Sequence, residues 1–203
     1  MMVNMAPSRT QPPMIRGSII RMGREWVEQT YGPEVIDHAL REIPPDDADA
    51  IGGMLLAASM YPLESWNRFL AALAGQVRVT KGVSEQAFYR EIVRGAVSGA
   101  TQTVFKFLLG VFQPPLVLKG LPVIVGRIYE DTELTVVTNV PGRFVAELRV
   151  QHEAVHDNAR IGFLHTVVFL AEMARAKNPS AVYSRDEALP HGYLLEVTLE
   201  YTS

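Results

Sequence analysis

The feature that most constrains the fold is a change in the spacing of apolar residues near position 131. Before this point, apolar side chains recur at helical spacing, as in residues 33–43 and 62–77. After it, they alternate with polar side chains, as in residues 143–150 and 193–201. This order predicts an α+β fold, in which a helical part precedes a mainly antiparallel sheet that helices cover on one face.

Glycine and proline divide the first part of the chain into helices. Gly32-Pro33, Pro44-Pro45 and Pro114-Pro115 each interrupt the helical pattern. A short or irregular helix is expected after the acids at 46–49, and Pro122 should bend or divide the helix in which it lies. The longer helices are expected at residues 18–30, 33–43, 62–77, 85–112, 116–129 and 157–177.

The second part of the chain reads as two β-hairpins around the last helix. Asn139-Val140-Pro141-Gly142 is typical of a turn, and it separates Thr132–Thr138 from Arg143–Val150. Ser180–Arg185 is a short strand candidate, and Tyr193–Tyr201 alternates along its whole length.

The segments group into a disordered arm and a single domain. Residues 1–13 hold three prolines and no apolar run, so they are expected to form the arm. The remainder is expected to be one domain at residues 14–203, with a helical part at 14–130 and a sheet part at 131–203.

Composition excludes several classes of protein. The 203 residues carry a net charge of −3 and no cysteine, so there is no general basic field for nucleic acid and no thiolate chemistry. No apolar stretch reaches the ~18–20 residues of a membrane span, and no signal peptide is evident. These absences lead us to expect a cytoplasmic protein with no nucleic-acid partner.

One short motif could carry chemistry. His152, Glu153 and His156 spell HExxH, which binds zinc when it lies within a continuous helix and a third ligand approaches. Here it follows a predicted strand and precedes a predicted helix cap at residues 157–158, so we read it as a connection. A third ligand could come from His165, Glu172 or His191. A metal-dependent hydrolase is therefore kept as an alternative, while nucleophile elbows, P-loops and dinucleotide fingerprints are absent.

The apolar segment at residues 104–128 could line a ligand cavity. Two adjacent apolar helices that carry proline and glycine breaks pack imperfectly, which can leave space for a small molecule. The residues expected to line this pocket, or the core beside it, are Phe105, Leu109, Leu116, Leu121, Ile124 and Phe163.

A set of short motifs is spread over the chain. They are Arg16-Gly17-Ser18, Tyr31-Gly32-Pro33, Tyr61-Pro62, Trp66, Phe105-Lys106-Phe107-Leu108, Pro114 and Leu121-Pro122. They resemble an uncharacterised bacterial family found mostly in myxobacteria, over residues 14–201. The order of elements also resembles the superfamily of haem nitric-oxide/oxygen-binding (H-NOX) domains, vinyl-reductase-type small-molecule-binding domains and TRAPP subunits. The resemblance implies a helical N-terminal part and a four-stranded antiparallel sheet crossed by a helix.

The chain departs from the haem-binding members of that superfamily. H-NOX domains hold haem through a histidine on the helix before the first hairpin, whereas Thr101–Tyr129 contains none. They hold the haem propionates with a Tyr-x-Ser-x-Arg motif, whereas Val136–Val140 lacks the tyrosine and the arginine. Tyr183-Ser184-Arg185 has a different spacing in a different place. No cofactor is therefore expected, and haem binding is not supported.

The leading hypothesis is a non-enzymatic sensory or adaptor module in a signalling context. It would bind a small apolar molecule or a protein partner, because the sequence shows abundant apolar helices and no assembled catalytic set. The alternatives are the metal-dependent hydrolase at residues 152–156 and a purely structural homodimer.

Overall fold

The computed structural model of the chain describes residues 12–100, 113–130, 132–151, 156–190 and 192–202, with only the backbone at 97–100. The helices are α1 Gly17–Tyr31, α2 Pro33–Glu42, α3 Pro45–Gly52, α4 Leu63–Lys81, α5 Glu85–Ala100, α6 Pro114–Lys119, α7 Leu121–Ile128 and α8 Asp157–Met173. The strands are β1 Met14–Arg16, β2 Met60–Pro62, β3 Thr132–Val140, β4 Arg143–Val150, β5 Lys177–Leu189 and β6 Gly192–Thr202.

The expected α+β class is confirmed. The helical part forms first, and the second part is a four-stranded antiparallel sheet in the order β3-β4-β6-β5. Both predicted hairpins form, and α8 connects them along the chain. α6, α7 and α8 pack beside the sheet, on the face that carries its apolar residues.

Each part has its own buried core. The helical core contains Phe69, Phe88, Leu73 and Val77, all fully buried or nearly so. The sheet core alternates along the strands, with Phe144, Val197 and Leu199 fully buried on the inner face. Tyr129, at the end of α7, packs against both cores. The alternation of β4 and β6 is what turns one face of the sheet toward α8.

Several boundaries differ from those that the sequence predicted. The segment 116–129 is divided at Gly120 rather than at Pro122, which lies in the first turn of α7 where proline is well accommodated. α8 ends at Met173, four residues before the expected end, and α4 continues to Lys81. β5 is longer than expected, at Lys177–Leu189.

Two short strands were not predicted. β1 and β2 pair antiparallel, with Ile15 opposite Tyr61, and Ile15 also forms a bridge with Tyr129. The Pro13 carbonyl accepts a hydrogen bond from the Leu63 amide at 2.8 Å. Residues 1–11 of the expected N-terminal arm lie outside the described residues, as do residues 101–112 of the long helix that was expected to end at Phe112.

Candidate functional site, a cavity between the two cores

A cavity of about 100 Å³ lies where the helical part meets the sheet. It sits between the first turns of α4 and α8, the end of α7 and the inner face of the sheet. A volume of this order is comparable with the ~150 Å³ protein cavities that hold a single benzene ring. Its lining residues are Pro13, Leu63, Glu64, Asn67, Val125, Tyr129, Thr132, Leu148, Val150, His156, Ala159, Phe163, Tyr183 and Leu195.

Helical periodicity brings the α8 and α4 residues to the cavity. His156, at the N-cap of α8, shares a face with Ala159 and Phe163, because positions three and seven residues apart align along a helix. Glu64 and Asn67 stand three apart in the first turn of α4. A carboxylate is favoured there by the exposed amides of a helix start.

Three polar residues of the lining, Glu64, Asn67 and His156, lie close together at the starts of α4 and α8. Glu64 and His156 are 39% and 44% exposed, so this part of the lining opens to solvent. Asn67, beside them, is only 4% exposed. Most of the remaining lining is aliphatic and aromatic, with Leu148, Leu195 and Phe163 among it. The cavity therefore has a largely apolar lining and an exposed polar group, formed by Glu64 and His156 with Asn67 beside them, which we call its mouth.

A chain of polar contacts crosses this mouth. His156 Nε2 lies within hydrogen-bond distance of Glu64 Oε2. The other oxygen of Glu64 contacts Arg68 at 3.0 Å, and Arg68 donates to Asp47 at 2.7 Å. Ser65 Oγ completes the chain by donating to Asp47 at 2.6 Å. The sheet part is thereby connected to α4 and α3 at the opening of the cavity.

Two phenols border the cavity in neutral form. Burial raises the pKa of Tyr129 above its usual value of 10. Burial also raises the pKa of Tyr183, whose hydroxyl donates to the Arg160 carbonyl at 2.8 Å. Both groups therefore remain uncharged near neutral pH.

The structure places the predicted pocket residues in different surroundings. Phe163 lines the cavity. Leu121 is fully buried in the sheet core and Leu116 is 53% exposed on α6, while Ile124 is half-buried on α7. Phe105 and Leu109 lie outside the described residues, so their part in a pocket stays a prediction.

The structure describes only part of the HExxH motif. His152 and Glu153 lie outside the described residues, and His156 contacts Glu64. Glu172, a possible third ligand, forms an ion pair with Arg94 at 2.6 Å. Burial, together with Arg90 and Arg94, lowers the pKa of His165.

No three histidine, aspartate or glutamate side chains that could hold a metal converge within the described ranges. His191 lies outside these ranges, and the metal site stays a prediction.

Sequence reasoning missed most of the cavity lining. Pro13, Glu64, Leu148 and Tyr183 come from segments far apart in the chain, and nothing local marks them as neighbours. The available signals were the alternation of β4 and β6, which identifies their inward residues, and the i, i+3 pair on α4.

Searches with protein-family models and among curated proteins gave no match. Solved structures do match. An oxygen-binding H-NOX domain related to soluble guanylate cyclases superposes with a TM-score of 0.66 at 12% identity, covering 93% of this chain and 96% of that chain. An Fe(II) unliganded H-NOX protein from K. algicida gives 0.63 at 15% identity, covering 93% and 97%. A structure that concerns the modulation of haem redox potential through protein-induced porphyrin distortion gives a TM-score of 0.64 at 11% identity, covering 92% of this chain and 99% of that chain.

Haem does not fit the residues that the structure describes. A cavity of about 100 Å³ is far smaller than a four-ring porphyrin requires. The histidine in its lining, His156, follows the first hairpin and contacts Glu64. No lysine or arginine is among the lining residues of the described chain to meet two propionates.

The matched structures share architecture with this chain over nearly its whole length. At identities of 11–15%, that likeness concerns the fold and not the ligand. Among the described helices, none combines the length and apolar content needed to cross a bilayer. The chain has an H-NOX-like fold, with a small cavity between its two cores.

Proposed function

We propose that this chain is a non-enzymatic sensory module that binds a small, largely apolar molecule in the cavity. The observation that carries the proposal is the cavity itself, which combines an apolar interior with a few polar groups at one mouth. That combination is typical of small-molecule sites, where apolar walls supply affinity and polar groups fix orientation. The H-NOX-like fold supports a sensory role by analogy of architecture.

Ligand binding would act on the contact between α4 and α8. Both helices line the cavity, and Asn158 of α8 donates to the Asn67 carbonyl of α4 at 2.9 Å. A molecule held between the helices interacts with both, so it favours one spacing of the two parts over another. A protein partner that contacts either part would then receive the signal.

Three finer statements belong to the same proposal. We place the module in a cytoplasmic signalling pathway, because a chain without cysteine has no need of an oxidising compartment. A homodimer is compatible with this role. We assign the chain to the uncharacterised family found mostly in myxobacteria on the short motifs that it shares with that family.

A panel of single-ring compounds tests the proposal. Benzyl alcohol, benzylamine and benzoate share a ring and differ in their polar group, and titration calorimetry with NMR chemical shifts would detect binding. We expect at least one compound to bind and to shift the signals of Phe163 and Ala159. Binding of none of the three to the wild-type chain contradicts the proposal.

Filling the cavity tests whether it is the binding site, and a variant with the same ring elsewhere is the matched control. Ala159→Phe places a ring inside the cavity, whereas Ala71→Phe adds the same ring on the exposed face of α4. Binding should disappear in the first variant and persist in the second. Ala159→Leu, a smaller filling change, covers the case in which the phenylalanine variant does not fold. Undiminished binding in a folded Ala159 variant would exclude the cavity as the site.

A further inference from the structure

We propose that the cavity is selective for a small organic amine in its ammonium form, and that the ammonium group displaces His156 from Glu64. This inference rests on the proposed function, because it names the chemical class of the molecule that the cavity binds. It is carried by the charge of the mouth, by the aromatic walls and by the contact that already occupies Glu64.

The charge of the mouth favours a cation over an anion. Glu64 is the carboxylate of the described lining, and neither lysine nor arginine is present there. Arg68 approaches the other oxygen of Glu64, but it is also paired with Asp47 and does not line the cavity. With His156 neutral, Asp47, Glu64 and Arg68 leave one negative charge beside the opening, which repels a carboxylate ligand.

Three aromatic side chains also line the cavity. They are Tyr129, Phe163 and Tyr183, and both tyrosines are uncharged near neutral pH, since burial raises their pKa further above 10. The faces of uncharged aromatic rings attract cations, and ammonium groups are recognised in proteins by several rings together with a carboxylate. An amine with a single-ring body would place its body among Phe163 and the aliphatic wall, and its ammonium at Glu64.

The existing partner of Glu64 shows where the ammonium would bind. His156 Nε2 contacts Glu64 Oε2 and Arg68 contacts Oε1. An ammonium group has three donors, so it can replace the imidazole at Oε2 and still donate to a further acceptor. Displacement separates His156, the N-cap residue of α8, from α4, and the proposed signal would pass through this contact between the two helices.

Titration calorimetry with the same three compounds tests the inference at pH 7 and constant salt. Benzylamine should bind about tenfold more tightly than benzyl alcohol, the value of one charge-assisted hydrogen bond, and benzoate should bind most weakly. Glu64→Gln should remove the preference for the amine while binding of the alcohol persists. Glu25→Gln, an exposed carboxylate on α1, is the charge-matched control and should retain the preference.

A separate variant, His156→Ala, tests whether the ammonium group displaces His156. His156→Ala removes the competing group, so the affinity for benzylamine relative to benzyl alcohol should rise several-fold in this variant. Weaker amine binding in this variant would show that the imidazole holds the ligand instead, and would overturn the displacement.

The outcomes separate this inference from the function on which it rests. Equal or tighter binding of benzoate, or an amine preference that survives in Glu64→Gln, overturns the selectivity and leaves a ligand-binding cavity in place. Binding of none of the three compounds overturns both proposals.

Discussion

The helical part and the sheet part bury apolar surface by different means. The helical core is built on ring contacts, with Trp66 and Phe69 at 5.9 Å and Phe88 and Tyr89 at 5.6 Å. The sheet core is mainly aliphatic, and the register of neighbouring strands decides which residues enter it. The cavity lies at the seam, the boundary between the two cores, and sheet-core residues such as Leu148 and Leu195 form part of its lining. The rings at the centre of the helical core, by contrast, do not line it.

The largest expected effects come from emptying either core. Phe69→Ala and Phe144→Ala each remove a fully buried ring, and each should lower the free energy of unfolding by about 3–5 kcal/mol. Urea unfolding followed by tryptophan fluorescence measures this, since both tryptophans, Trp26 and Trp66, lie in the helical part.

Both variants should shift the fluorescence midpoint, because Tyr129 and the packing of α5 on α8 join the two cores. If Phe144→Ala leaves that midpoint unchanged, the two parts unfold separately and do not form a single cooperative domain.

A smaller effect tests how closely rings pack in the helical core. A Cβ added at Gly23 would lie 2.8 Å from the indole of Trp66, a side chain that is only 6% exposed. Gly23→Ala should therefore destabilise the protein by about 2 kcal/mol, since the indole must shift in a filled core.

Gly75→Ala, in α4, is the matched control. It meets nothing within 4 Å and should stabilise its helix by up to about 1 kcal/mol. Thermal unfolding of the two variants should show opposite signs. A neutral result at Gly23 would mean that the helical core is looser than these contacts indicate.

The network at the mouth should make stability depend on acid pH. The hydrogen bond from Ser65, followed by the Arg68 guanidinium, lowers the pKa of Asp47 below 3.8 in the folded state, although burial opposes this. The stabilisation is therefore complete above about pH 4 and is lost as the pH falls through the lowered folded value.

Asp47→Asn should cost about 1 kcal/mol at pH 7 and reduce the loss of stability between pH 4 and pH 2. Urea midpoints over this range measure it. Asp37→Asn, an exposed acid on α2, should leave the profile as in the wild type. An unchanged profile in Asp47→Asn would show that the network does not stabilise the seam.

The smallest expected effect concerns an ion pair that joins the two parts. Arg94 on α5 and Glu172 on α8 are 2.6 Å apart, with both side chains at least one-third exposed. Glu172→Gln should reduce stability by less than about 1 kcal/mol, and the difference should shrink as salt increases. Paired thermal melts at low and high salt would reveal it. A large effect that salt does not change would indicate that this contact determines the docking of α8.

Much of the fold could be predicted from local sequence, and the cavity could not. The alternation in residues 143–150 and 193–201 predicted β4 and β6, because this signal is local. Asn139–Gly142 predicted the turn between β3 and β4 for the same reason. β1 and β2 have three residues each and exist through pairing with each other, which no window of sequence records. β5 is largely exposed at the sheet edge, so the apolar pattern revealed only its middle.

The residues of the candidate site also divide into those that the local sequence indicated and those that it did not. Phe163 was among the residues expected to line a pocket or the core beside it, and it is part of the cavity lining, while its role in ligand binding stays a prediction. Glu64 and Tyr183 were not expected there, since their role depends on which residues face them across the seam.

The position of β1 has a consequence for the order in which the chain assembles on the ribosome. The Arg16 side chain donates to the Arg127 carbonyl, 111 positions later, and the Glu130 amide donates back to the Met14 carbonyl. Synthesis proceeds from the N-terminus, so β1 leaves the exit tunnel long before these partners exist. The helical part, with β1 paired to β2, can form first, but the second set of contacts of β1 must wait for the residues that lead into the sheet.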